Sequence, residues 1–262
     1  MTMALQKIRL SSRSLISVTG PDWRSFLQGL LTQDVDSLEV GEIRFGALLT
    51  PQGRLLNDLF LIGREDGVWL DVQASQKDAL IQKLTLYRLR AKVVIEANDA
   101  QVSADIGGGT EGLVDPRLPA LGRRIYGPAD VEDDEPAYWN HCRQLGVPGP
   151  ADWGEDRTYP IEANFDLLNG IDFKKGCFVG QETTSRMKRR GQIKTRMAPV
   201  QVAGSTPPAG SEILTSAELR AGEVLSGQPG LVMVALRLDR MDGSLTVNGQ
   251  AAVPALPDWL VA

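Results

Sequence analysis

The run Lys174-Lys175-Gly176-Cys177-Phe178-Val179-Gly180-Gln181-Glu182 sets one thiol beside two lysines, in a glycine-flanked turn that leads into a helix-forming stretch. Neighbouring positive charge and a helix N-terminus both favour thiolate over thiol, which makes Cys177 the candidate reactive residue. The competing reading is a small apolar residue in a tight turn, because free cysteines are commonly buried. From Gln181 to Arg190 the residues are polar and helix-forming, and Gly191 supplies the left-handed conformation that ends a helix, so the thiol falls in the loop about one turn before it.

Other clusters carry weaker chemistry. Tyr87-Arg88-Leu89-Arg90 closes a helical pattern with two guanidinium groups that suit an anionic ligand tail or an internal acid, although an arginine at a helix C-terminus is favoured electrostatically in any case. Arg186, Lys188, Arg189, Arg190, Lys194 and Arg196 form a basic run, either a solvated face or an attractor for an anionic ligand or partner. No aromatic residue interleaves with it, and the net charge of −5 disfavours nucleic acid as a partner. Gly107-Gly108-Gly109-Thr110-Glu111-Gly112, with Glu132 about twenty residues on, has the spacing of a dinucleotide loop. Pro116, Pro119 and Gly122 follow instead of a helix, leaving no N-terminus to hold a pyrophosphate, and the match is rejected. His141 and Cys142 are adjacent, yet with one distant cysteine they make no metal-ligand set and are read as structural.

The elements that must position these groups fall into two styles. Asp22 is placed to cap a helix whose apolar residues are Trp23, Phe26, Leu27, Leu30 and Leu31. A meander of antiparallel strands is predicted over 43–72, then a helix over 75–86 and a strand over 93–97. Short strands are predicted near 8–10, 102–106 and 124–126, with a helix over 136–145. Beyond Gln192 only strand-like runs remain, at 200–202, 223–225, 231–236 and 244–247, with loops at 203–210 and 226–230. The fold class is therefore α+β over 1–192 followed by a small β-barrel over 193–262. A chain of 262 residues without a long apolar run or a signal-like N-terminus reads as globular, not membrane-bound, and cytoplasmic, with both cysteines reduced.

The string Lys175-Gly176-Cys177-Phe178-Val179-Gly180-Gln181-Glu182 closely resembles the signature of the YgfZ-type folate-binding iron-sulfur cluster assembly factors. Phe26-Leu27-Gln28-Gly29, Thr32-Gln33-Asp34-Val35, Tyr87-Arg88-Leu89-Arg90, Asp115-Pro116-Arg117 and Pro160-Ile161-Glu162-Ala163-Asn164 extend the likeness over most of the chain, toward a bacterial relative of the mitochondrial branch. The resemblance implies an aminomethyltransferase-like region in two parts around a tetrahydrofolate channel, ahead of the barrel. It also implies support for [4Fe-4S] cluster assembly or repair, with assembly proteins or client enzymes as partners. In that picture Cys177 is the working thiol and Glu162 meets the amino and ring N–H groups of a pterin as a two-oxygen acceptor. Asp58, Arg88, Lys175, Gly176, Gly180, Gln181 and Glu182 complete the expected folate-side set. The aminomethyltransferases carry paired aspartates where this chain has Asn57-Asp58, and an amide is no general base, which weakens the rival reading of a folate-dependent one-carbon transferase. A docking scaffold that keeps the channel without using it is the third reading, and Asp115-Pro116-Arg117 is expected to be a structural turn.

Overall fold

The computed structural model describes residues 6–191 and 193–261, so the division drawn at Gln192 lies outside the described residues. The chain opens with β1 (Lys7–Arg9) and β2 (Arg13–Thr19), followed by α1 (Trp23–Gln28) and the meander β3 (Ile43–Leu49), β4 (Leu55–Arg64) and β5 (Gly67–Gln73). Next come α2 (Lys77–Arg88) and β6 (Val94–Asn98), which complete an antiparallel sheet ordered β3-β4-β5-β2-β6. Strand alternation gives this sheet two apolar faces. Leu59 and Leu61 pack with Leu70, Val72 and the α1 and α2 residues Leu27, Leu80 and Leu84, while Phe60 and Ile62 face the other way toward Phe45, Phe165 and Ile161.

A second sheet, ordered β1-β7-β9-β8, contains β7 (Val102–Asp105), β8 (Leu113–Val114) and β9 (Arg123–Tyr126). It is followed by α3 (Glu135–Gln144) and the short α4 (Pro150–Trp153). Residues 154–180 then run without helix or strand to α5 (Gln181–Arg190). The remaining strands are β10 (Thr195–Val202), β11 (Glu212–Thr215), β12 (Arg220–Gln228), β13 (Leu231–Arg237), β14 (Leu245–Val247) and β15 (Gln250–Pro254), ahead of α6 (Asp258–Val261). They close into a six-stranded barrel, β10-β13-β12-β11-β14-β15, around Val200, Ile213, Val224, Val234 and Leu245.

Several expectations are corrected. Asp22 does not cap α1 with its side chain; Oδ2 accepts from the Lys92 backbone N–H at 2.7 Å, tying the helix start to the segment before β6. The run 226–230 is a turn only at its end, because β12 continues to Gln228 through a register shift between Val224 and Ser226. Beyond the shift Gly227 pairs with Val232, and the position has no room for a side chain, since a Cβ there would stand 2.4 Å from Val232 Cγ1. β2, β8, β11 and β15 carried no sequence assignment.

Candidate functional site: a clamped thiol loop beside a buried charge network

The segment 154–180 has no ladder of its own; turns within it close some of its backbone bonds, such as the Glu162 N–H to Tyr159 O and the Phe165 N–H to Pro160 O, and groups outside it take up others. Asn164 Nδ2 donates to Met197 O, and the buried Arg196 donates to Ile161 O and forms an ion pair with Asp166 at 2.9 Å. Arg196 is thus an internal anchor, not a member of an exposed basic run. Further along, Thr32 Oγ1 donates to Gly170 O at 2.6 Å, and the Asp172 N–H donates to Thr32 O.

Lys175 continues the same theme. Its ammonium donates to the carbonyls of Gln28, Leu31 and Gln33 at 2.8, 2.6 and 2.9 Å, completing the acceptors left open beyond the C-terminal end of α1. Burial pushes its pKa down to about 8, still protonated at neutral pH. Lys175 is therefore spent on the backbone and is not available to a ligand. Two residues further, Cys177 is exposed, while Phe178 beside it is buried in the core under the five-stranded sheet.

The two motif glycines differ. A Cβ on Gly176 would meet nothing, so this glycine is not a close-approach residue. Gly180 sits at φ +79 at the N-cap of α5, and a Cβ there would lie 2.6 Å from Thr50 O and 2.9 Å from Gly53 Cα. Gly53, at φ +85, returns the contact, its own Cβ position lying 2.9 Å from Gly180 O. The β3–β4 turn and the thiol loop are thus pressed together backbone to backbone, which only glycine permits. Gln181 and Glu182 line an open groove of about 800 Å³ with Pro51, Phe173, Phe178 and Lys188. Arg186, Lys188, Arg189 and Arg190 have no ion-pair partner among the described residues; Lys188 Nζ lies 3.9 Å from the Phe173 ring centroid.

Glu162 is half-buried, its carboxyl pushed above the ordinary range by burial, and Oε2 accepts from the Tyr159 backbone N–H at 3.0 Å. Arg54 of the β3–β4 turn lies over the Tyr159 ring at 4.7 Å. Asn57 and Asp58, being consecutive on β4, face opposite sides of the sheet. Asn57 donates to Gln76 Oε1, whereas Asp58 accepts from Arg13 Nη1 at 2.8 Å and Gln73 Nε2 at 3.1 Å. Arg88 is exposed on α2, on the face of the sheet away from Glu162 and Asp58, where Nη1 donates to Val93 O; it does not reach them. The structure therefore gathers Cys177, Gly180, Gln181 and Glu182, and disperses Glu162, Asp58 and Arg88.

Asp58 belongs to a network that sequence reading missed. Arg13 also donates from Nε to Asp71 at 2.7 Å; Asp71 in turn accepts from Arg124 at 2.5 Å and from the Tyr126 hydroxyl at 3.0 Å. Arg117 pairs with Asp115 at 2.8 Å, and Arg117 and Arg124 both donate to Tyr138 Oη. The Phe60 ring lies 3.9 Å from the Arg124 guanidinium and 5.0 Å from that of Arg117. Burial alone would raise the Asp71 carboxyl, but Arg124 and Arg13 outweigh it and hold it below its ordinary value; Arg117 does the same for Asp115. The available signal was a charged residue inside an apolar strand, as with Asp71 between Leu70 and Val72. Nearby, Cys142 is buried, its thiol pushed up to about 11, and His141 Nε2 hydrogen-bonds Ala120 O at 2.9 Å.

Two β-sheets with their helices, an irregular segment between them and the barrel, and a closed six-stranded terminal barrel define an aminomethyltransferase-like fold. The glycine cleavage system aminomethyltransferase T of Bartonella henselae superposes over 98% of this chain and 86% of its own with a TM-score of 0.80, at 19% identity, which is a likeness of fold. Residues 194–262 match the family described as CAF17, C-terminal beta-barrel domain. The chain belongs to the IBA57-type iron-sulfur cluster assembly factor family. It is 30% identical to the mitochondrial IBA57 homologue of Pyricularia oryzae, covering 93% of this chain and 74% of that protein. Human mitochondrial IBA57 is 29% identical over 96% of this chain and 84% of its own length. The Neurospora crassa homologue is 32% identical over 73% of this chain, which matches about half, 52%, of that longer protein. Among the described residues, no helix is long and apolar enough to cross a membrane.

Proposed function

We propose that this protein supports the assembly or repair of iron-sulfur clusters, with Cys177 as the thiol that contacts the cluster or the partner carrying it. The observation that carries the reading is an exposed thiol on a loop fixed from both sides, in a chain related to iron-sulfur cluster assembly factors. One thiolate does not hold a cluster, which takes several, and the described residues contain no other group of metal-binding side chains. The remaining ligands belong to the partner, an assembly protein or a client [4Fe-4S] enzyme, and the cluster is cargo.

Tetrahydrofolate is part of the proposal through the aminomethyltransferase-like fold, and supplies a one-carbon carrier when bound. The expected pterin contacts are a partial fit. Glu162 keeps one carboxylate oxygen free, but Asp58 is neutralised by Arg13 and Lys175 is committed to carbonyls. That commitment of Asp58 favours the accessory-factor reading over a one-carbon transferase, which needs a carboxylate free to move a proton.

The test is restoration of [4Fe-4S] enzyme activity in cells lacking the protein, by wild type and by Cys177→Ser at equal protein levels. Wild type is expected to restore activity and Cys177→Ser to fail, with unchanged thermal unfolding because the side chain is exposed. Equal restoration by both would remove the thiol from the mechanism.

A further inference from the structure

Helix α5 carries four cations in five consecutive positions, Arg186, Lys188, Arg189 and Arg190, in a chain whose net charge is −5. All four side chains are exposed, and none has a carboxylate in ion-pair range among the described residues. The helix dipole favours cations in a last turn, which accounts for Lys188, Arg189 and Arg190 without any partner. It does not account for Arg186, a turn earlier. With Arg189 three residues on and Arg190 four residues on, Arg186 sets like charges on one face, a spacing that destabilises a helix. Glu182, four residues before it, is the natural counter-charge, yet stays out of ion-pair range.

Two adjoining concavities follow this helix. The open groove of about 800 Å³ has the apolar residues Pro51, Phe173 and Phe178 on one side and Lys188 and Arg189 on the other. A second, of about 370 Å³, is lined by Glu182, Arg186, Arg189 and Arg190, so Glu182 and Arg189 belong to both, and Glu182 is the only carboxylate among their lining residues. Lys188 Nζ is held 3.9 Å from the Phe173 ring centroid, and Arg189 spends only Nε, on Ser185 O at 3.4 Å, which leaves its other N–H groups free. Cys177 is exposed and directly precedes Phe178, so the thiol stands beside the groove where α5 begins. The ten residues of α5 run about 15 Å, the length of about five extended residues.

We infer that this face docks an acidic, extended segment of the protein that carries the cluster, laid along α5 so that a thiol at the segment's end reaches Cys177. The inference rests on the proposed function and names the chemistry of its partner. Carboxylates of the segment meet the guanidinium groups of Arg186, Arg189 and Arg190 as charge-assisted pairs and offset the repulsion among them. Pro51 and Phe173 take the apolar parts of the same segment. A protein partner is favoured over nucleic acid because the one ring placed to stack on a base, Phe173, is already covered by the Lys188 ammonium.

Thiol exchange between the full chain and two short peptides tests it. One peptide has five glutamates and a terminal cysteine, the other five glutamines and the same cysteine, each cysteine joined to thionitrobenzoate. Attack by the Cys177 thiolate forms the protein–peptide disulfide and releases one thionitrobenzoate anion, read by absorbance; Cys177→Ser gives the background from the buried Cys142. At low salt the glutamate peptide is expected to react about tenfold faster than the glutamine peptide, with the ratio falling toward one in about 0.5 M salt. Arg186→Gln, Arg189→Gln and Arg190→Gln combined, melting like the wild type, should lose the ratio, and a change in the thiol's own reactivity cancels because it acts on both peptides alike. In the rescue experiment the same triple variant should restore about half or less of the [4Fe-4S] enzyme activity that wild type restores. The inference is overturned if the wild-type ratio is near one, if the triple variant keeps the ratio, or if it restores activity fully. It is overturned equally if free oligothymidylate suppresses the exchange where free pentaglutamate does not, which would make the face a nucleic-acid site. Should the triple variant not fold, an undiminished ratio in Arg189→Gln overturns it. A ratio lost in the triple variant together with equal restoration by wild type and Cys177→Ser would keep the docking face and remove the thiol from the cluster role.

Discussion

Residues of the same type, a few positions apart, carry unequal weight in the thiol loop. Gly180 is held at φ +79 with Thr50 O where a Cβ would go, so Gly180→Ala is expected to cost about 1–3 kcal/mol. Gly176→Ala, with open space and no positive φ, is expected to change stability by less than about 0.5 kcal/mol. Chemical denaturation of both variants checks the contrast, and equal losses would contradict the backbone-to-backbone contact. The sequence identified the loop, the thiol's place in it and the helix that follows, while the exposure of the thiol stayed open between two readings. It gave no means of separating the two glycines, because what distinguishes them is Thr50 and Gly53, more than a hundred residues earlier. Lys175 illustrates the same limit: its charge was legible, but the three carbonyls that absorb it were not.

Among the elements, the turn after α2 shows where local preference yields to packing. The Ala91 N–H donates to Arg88 O at 2.8 Å, closing a four-residue turn in which Leu89 adopts φ 47, ψ −104. That is close to the first central conformation of a type II′ turn, normally a glycine position, and Leu89 is 88% exposed. Leu89→Gly is therefore expected to relieve strain and stabilise by about 1 kcal/mol, raising the melting temperature by roughly 2–4 °C. A lower melting temperature would mean the leucine contributes a contact that offsets its backbone. The long periodic elements were legible: α2, α3 and α5 lie within two residues of their predicted bounds, and the β3–β5 meander matches. β11 and β15 escaped because short barrel strands of four or five residues show too little alternation to stand out from the turns around them.

On the scale of the whole molecule, the two sheets are joined by three arginines and three aspartates with almost no access to water. Asp71→Asn should destabilise by about 3–5 kcal/mol, since it leaves Arg13 and Arg124 buried without their shared counter-charge. The native pKa values of Asp71 and Asp115 lie below those of the unfolded chain. Their contribution is thus present above the unfolded value near 3.9 and is lost as pH falls through the depressed folded values. Thermal stability should accordingly fall on acidification below about pH 4.5, and less steeply in an Asp71→Asn background. The two-part architecture and terminal barrel were legible as a change from mixed to strand-only patterning. The groove and the charge network were not, because each is assembled from residues on separate elements. The Gly53–Gly180 contact has a mechanical consequence. The loop that carries the sulfur is braced against a sheet, so in the proposed function an exchange at Cys177 is timed by the arrival and departure of the other molecule.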